Sequence, residues 1–307
     1  MFPTLTELPD LGLLLARGPQ AVDLLHAQLT QNLRDWPAET ARPAALCTPQ
    51  GRVLSDFLLW REDEQGIALL LRNELLAPML QRLRMYILRL RCTVEDGSAQ
   101  HRVHGLLEDA QAASAAPVAL QVWQVRQAHD CCWIRLPDAP GLRRILVVCH
   151  GAGDVGALLP GVARGEPQGW ELAAIRAGVA PIGSATSGKL VPQMLNYEAI
   201  GAVDFHKGCY PGQEVIARTQ FRGTIKRRLF RIVGELPMAA GDEVFGSSDP
   251  AQPCGMVVHA AQAAPEQWEA LAELKLDALQ QGTLHLRAAD GAQLLPATLP
   301  YALPPQD

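Results

Sequence analysis

The sequence predicts a mixed α+β protein built from two or three modules and closed by a small β-barrel. Three observations carry that expectation. The 307 residues exceed what one small core organises. Strand-like and helix-like stretches mix with a hairpin in the N-terminal half, without the strict strand-helix alternation of a doubly wound sheet. From residue 229 onward short β-like runs recur between Gly and Pro residues, and closure into a barrel removes their edges.

Leu11 to Ala16 reads as a strand, and Gly18-Pro19 opens a helix over Gln20 to Leu29 with apolar Val22, Leu25 and Leu29. Ala44 to Cys47 and Val53 to Trp60 flank the turn residues Thr48-Pro49-Gln50-Gly51 and form a hairpin. A strand over Ile67 to Leu71, a helix from Glu74 to Ile87 and a strand from Leu90 to Val94 follow. Beyond the small-residue connector Ala110 to Pro117, strands are expected at Val118 to Val125, Cys132 to Leu136 and Arg144 to Cys149. The helix Trp170 to Ala177 is stopped by Gly178 and Pro181. The tail carries β-like runs at Leu229 to Val233, Gly255 to His259, Glu269 to Leu276 and Thr283 to Arg287. These elements divide the chain into 1–109, 110–226 and a barrel over 227–307.

The chain is 48% hydrophobic and 19% charged, the composition of a packed globular protein. A net charge of −5 excludes a global basic field for polyanions, so any such site is local. The apolar runs are strand-sized, far below the roughly 20 residues that span a bilayer, and the N-terminus has no signal-peptide pattern, so a cytoplasmic protein without membrane contact is expected. Its seven cysteines are then expected to stay unpaired. None forms a C-x-x-C pair, and no resident metal is expected.

Gly151-Ala152-Gly153-Asp154-Val155-Gly156 matches G-x-G-x-x-G after the strand-like ILVVC. A dinucleotide site needs a full helix behind that turn, and Pro160-Gly161 interrupts the chain almost at once. Glu171, at the spacing of a ribose-binding acid, opens a helix instead of ending a strand. A connecting loop is the expectation.

The segment Asp204 to Arg218, DFHKGCYPGQEVIAR, concentrates the chemistry. Pro211 suits the first turn of a helix through Val215 to Arg218, which would set Cys209 just ahead of a helix N-terminus. Exposed backbone N–H groups and Lys207 would favour its thiolate, and Gly208 and Gly212 allow a tight fold around it. A small buried filler is the alternative reading of Cys209.

Lys207-Gly208-Cys209-Tyr210-Pro211-Gly212-Gln213-Glu214 resembles the K-G-C-[FY]-x-G-Q-E signature of the YgfZ family, folate-binding relatives of the T-protein (aminomethyltransferase) of the glycine cleavage system. Ile175 to Pro181 looks like the family's R-x-x-G-x-P helix end, and Pro192 to Asn196 its P-x-x-x-N segment. Leu29-Thr30-Gln31-Asn32 and Cys47 to Arg52 extend the resemblance to the N-terminal half. It implies ferredoxin-like α+β domains and a C-terminal β-barrel around a central channel holding tetrahydrofolate or a one-carbon derivative. It also implies a role in assembling or repairing iron–sulfur clusters of client enzymes, including tRNA-modifying ones.

Under that resemblance Cys209 and Lys207 are the reactive residues, and Glu198 looks like the carboxylate that grips the pterin ring, an aminopyrimidine edge being suited to a charge-assisted pair. A solvated glutamate is its plainer reading. Tyr197 and Trp170 offer stacking surfaces or core packing, and Gln213 and Arg218 complete the cofactor-binding set. Asp56 falls near the second acid of the T-protein's G-G-x-x-D-D segment, but Ser55 replaces the first. An aminomethyl transferase using Asp56 therefore stands as an alternative, beside a surface aspartate. Arg218, Arg222, Lys226, Arg227, Arg228 and Arg231 form a stripe of six cations with no acid among them. It suits the glutamate tail of folate or tRNA phosphates in an RNA-binding or protein-docking module, or else a solvated strand.

Overall fold

A computed structural model describes residues 3–151, 155–280 and 282–304. The N-terminal segment feeds two sheets: β1 (Thr4–Glu7) enters one and β2 (Leu11–Arg17) the other. After α1 (Ala21–Gln28) come β3 (Arg42–Cys47), β4 (Val53–Arg61) and β5 (Gly66–Arg72), then α2 (Leu76–Met85) and β6 (Thr93–Asp96). These strands form a five-stranded sheet in the order β3-β4-β5-β2-β6. The second sheet takes β7 (His101–Asp109), β8 (Val125–Ala128), β9 (Cys131–Ala139) and β10 (Leu142–His150). After α3 (Val155–Leu158) it also gains β11 (Ala163–Arg164), in the order β11-β1-β7-β10-β9-β8.

The period-2 geometry of β2 explains why its sequence is apolar throughout. Leu14 and Ala16 join the core beneath α1 and α2, whereas Leu13 and Leu15 pack with Trp60, Val103, Leu107, Ile134 and Val148, where the two sheets meet. The helix α4 (Pro167–Arg176) starts on a proline and packs Trp170 and Ala173 into the inter-sheet core. Gly178 follows it with φ +70°, as the sequence predicts for its stop. After α5 (Gln213–Phe221), the chain forms β12 (Arg227–Gly234), β13 (Glu243–Gly246), β14 (Asp249–Ala264), β15 (Gln267–Lys275), α6 (Leu276–Gln280), β16 (Leu284–Leu286) and β17 (Gln293–Ala297). Its six strands close as β12-β15-β14-β13-β16-β17 around Ile232, Val244, Val257 and Leu274.

The α+β fold with a closed C-terminal barrel is therefore present, but several details depart from expectation. The segment 118–124 is not a strand: a turn with Gln124 N bonded to Gln121 O interrupts it, and Val118 and Leu120 only pack against the edge of a core. Strand β6 begins three residues later than Leu90, and β1, β7, β13 and β17 lack a strong apolar signal. Cys131 and Cys149 are cross-strand partners in β9 and β10, with Cα atoms 4.0 Å apart, and form a buried disulfide. This corrects the expectation of unpaired cysteines; strand register creates a proximity that a separation of 18 residues conceals. The glycine motif has residues 152–154 outside the described residues, and α3 behind it is only four residues long. No helix among the described residues is long and apolar enough to cross a membrane.

Candidate functional site

The signature segment lies against the first sheet. Helix α5 begins at Gln213 with Gly212 as its N-cap, so Pro211 sits just before the helix instead of in its first turn. Gly212 has φ +83°, and a Cβ there would stand 2.5 Å from the Thr48 carbonyl oxygen and 2.7 Å from Gly51 Cα. Only glycine lets the segment close on the β3–β4 turn.

Lys207 is buried and its Nζ donates to the carbonyls of His26 and Leu29, the latter at 2.6 Å. It thereby satisfies carbonyls at the C-terminal end of α1, the end that favours a cation. Its ammonium also lies 4.8 Å from the Tyr210 ring centroid. Burial pulls its pKa down to about 8, with Asp204 opposing that shift. Gln213 donates from Nε2 to the Lys207 carbonyl at 3.3 Å and closes the loop. Lys207 and Gln213 thus act first as scaffold, and Cys209 stands exposed on that scaffold, which excludes the buried-filler reading.

A second constellation lies where both sheets, α4 and the barrel meet. An inner cavity of about 130 Å³ is lined by Asp56, Phe57, Leu70, Arg144 and Trp170, among others. An outer cavity of about 540 Å³ adjoins it, with Arg72, Glu171 and Pro181 common to both and His259 on its wall. Arg72 grips Glu171 through two hydrogen bonds, of 2.9 and 2.5 Å. His259 Nε2 stands 2.8 Å from Glu171 Oε2, at ion-pair distance though not aligned as a hydrogen bond. Burial pushes the Glu171 carboxyl up, but His259 and Arg72 outweigh it and hold the pKa at about 2.

Asp56 is enclosed in β4, not a surface aspartate: its Oδ1 accepts from the Ile182 backbone N–H at 2.7 Å, and burial raises its pKa against that bond and Arg72. Tyr197 is buried and donates to the Ala180 carbonyl at 3.0 Å; it lines neither cavity. Glu198 is not solvated either. Its side chain is 5% exposed and its Oε1 accepts from Arg228, itself 1% exposed. Burial raises the Glu198 pKa in spite of Arg228, and Oε2 is buried with no hydrogen-bond partner. Trp170 is a core residue that also forms part of the cavity wall.

The stripe of six cations is broken up by the fold. Arg227 pairs with Glu273 at 2.8 Å, Arg228 with Glu198, and Arg231 with Glu269 at 3.9 Å. Glu269 and Glu273 come from β15, the neighbour of β12, so a run without acids in sequence meets acids on the adjacent strand. Arg218, Arg222 and Lys226 remain exposed, beside the 67% exposed Phe221. Arg72, Arg144 and His259 were not singled out by the sequence. Arg144 had a legible signal: in β10 it shares a face with Leu146 and Val148, which is the core face.

No family model matches the chain. It is 30% identical over 98% of its length to the tRNA-modifying protein YgfZ of Sodalis glossinidius, covering 93% of that protein. With the YgfZ of Klebsiella pneumoniae the identity is 32% over 84% of this chain and 81% of the relative. The chain belongs to the YgfZ family. The YgfZ of Serratia proteamaculans is 29% identical over 98% of the chain and 93% of its own length. Among solved structures, the glycine cleavage system aminomethyltransferase T of Bartonella henselae superposes with a TM-score of 0.74 over 97% of this chain and 86% of its own, at 16% identity. That likeness establishes a shared fold.

Because the folded-state pKa of Asp56 is raised, its ionisation costs stability as pH rises through that value, and the cost is absent below the unfolded value near 3.8. Asp56→Asn, which keeps the acceptor for Ile182, is expected to raise the urea midpoint at pH 7 and to leave it nearly unchanged at pH 3.5.

Proposed function

We propose that this YgfZ-family protein binds tetrahydrofolate at the junction of its sheets and barrel and supports tRNA modification through enzymes that carry iron–sulfur clusters. The observation that carries the reading is Glu198 Oε2, a buried carboxylate oxygen without a partner at the position the resemblance assigns to the pterin. A buried acceptor left unpaired is costly, and an N–H donor relieves it. Glu198 would accept from the pterin edge and Arg228 would hold the carboxylate in place; Asp56 and Trp170 line the cavity of about 130 Å³, whose lining residues do not include Glu198. Tetrahydrofolate would supply a one-carbon carrier. The names of the relatives support the link to tRNA, and the resemblance supports the cluster role. Tyr197 and Gln213 contribute by holding the backbone, while Arg218, with Arg222 and Lys226, offers the exposed remnant of the basic stripe to phosphate or to the folate tail. The cytoplasm is the compartment this role implies.

Titration with tetrahydrofolate, followed by tryptophan fluorescence, tests this reading. Glu198→Gln is the informative variant, because Glu198→Ala would strand the buried Arg228 at a cost of about 3–5 kcal/mol. Saturable quenching is expected, weakened about tenfold or more in Glu198→Gln. Cys209→Ala should bind folate like the parent yet fail to restore tRNA modification in a deletion strain. Absence of folate binding, or full restoration by Cys209→Ala, contradicts the reading.

Asp56 favours a second reading, folate-dependent aminomethyl transfer. A buried carboxyl of raised pKa on a cavity wall is suited to proton transfer. It requires turnover of a methyl or aminomethyl donor with tetrahydrofolate, abolished by Asp56→Asn; no turnover with any donor rules it out.

A further inference from the structure

Arg144 lines the inner cavity as a cation that makes no ion pair among the described residues. It is 3% exposed, and its Nε is buried without a partner. Its hydrogen bonding among the described residues is one long contact, 3.4 Å from Nη1 to the Pro137 carbonyl. Its guanidinium carbon lies 5.0 Å from the Trp170 ring centroid. The acids that act on it electrostatically are Glu171 and Asp138, and both are engaged elsewhere: Glu171 with Arg72 and His259, Asp138 with Arg135 at 2.6 Å. Burial pulls the Arg144 pKa down to about 10. A buried charge left unpaired is among the costliest features a fold can carry, whereas a guanidinium with free donors matches a carboxylate fork. Leu58, Leu70, Leu136, Leu146 and Trp170 form the apolar part of the wall, and Arg72 with its partner Glu171 lies on the side shared with the outer cavity. The cavity of about 130 Å³ is roughly ten times the space needed for one water. Asp56 on the same wall disfavours a second negative charge.

We propose that the inner cavity is an anion site in which Arg144 receives the carboxylate of an organic acid whose apolar body lies along Trp170 and the leucines. The carboxylate belongs either to a separate small monoacid or to the folate molecule itself. This site is defined by Arg144 and stands whether or not Glu198 holds a pterin.

Benzoate and its neutral isostere benzamide are the probes, titrated against the full chain with tryptophan fluorescence and thermal shift as readouts. Benzoate is expected to quench saturably and to bind at least tenfold more tightly than benzamide. Arg144→Met is expected to lose that preference while remaining folded, because replacing a buried charge by an apolar side chain is often neutral or stabilising. Equal binding of the two probes, no binding of benzoate in the millimolar range, or undiminished benzoate affinity in Arg144→Met overturns the proposal. The comparison in the parent protein decides even where the variant folds poorly. Titrating benzoate into protein saturated with tetrahydrofolate separates the sources: unchanged affinity assigns the site to a separate acid. Mutual displacement, with folate affinity weakened by Arg144→Met, assigns it to the folate carboxylates. Both support an anion site.

Discussion

The half-buried polar cluster of Arg72, Glu171 and His259 joins the three parts of this molecule. Arg72 ends a strand of the first sheet, Glu171 lies in α4 on the second, and His259 belongs to a barrel strand. Desolvating these groups is expensive, and the expense is offset only when all of them meet in good geometry. The two Arg72–Glu171 hydrogen bonds fix the geometry of this contact more narrowly than apolar contacts, being non-directional, can. Arg176 reinforces it by pairing with Glu269 at 2.7 Å, and Gln168 donates to the Gln262 carbonyl at 2.8 Å. Both cavities have walls drawn from the elements so joined, so their shape depends on this docking.

The most conspicuous sequence feature plays a different part. In the KGCYPGQE segment most side chains are committed to building a loop. Lys207 caps α1, Gly212 yields to the β3–β4 turn, Tyr210 packs into the core and Gln213 ties the loop shut. The side chains that remain exposed are Cys209 and Glu214. The segment is best understood as a mount for one exposed thiol, separate from the cavities, neither of which counts Lys207, Cys209 or Gln213 among its lining residues. The layout thus separates the cavities at the junction from the exposed cysteine.

Much of the architecture was legible because its causes are local. The hairpin around Gly51, the proline-started and glycine-stopped α4, and the Gly- and Pro-punctuated barrel strands all declare themselves over a few residues. The failures share a different cause. The run over 118–124 has strand composition, but composition cannot reveal whether a partner strand is present. The cation stripe loses half its members to acids from elsewhere in the fold, and Cys131 finds Cys149 through register. The partners of Glu198 and Arg144, or the lack of them, likewise depend on what the fold brings close, so the electrostatics of the site emerge only in three dimensions. Resemblance supplied Glu198 and Asp56 as candidates; the structure supplies the reason each is chemically unusual.

The central claim is that ligand binding occurs at the junction held by the ion cluster and not at the exposed thiol loop. Amide hydrogen exchange with and without saturating tetrahydrofolate measures this directly. The account predicts that new protection concentrates in the end of β5 near Arg72, in α4, in the segments 179–183 and 196–200, in β12 near Arg228 and in β14 near His259, with the 207–212 loop little changed. Protection confined to the 207–212 loop and α5, or no change at the junction, would contradict it.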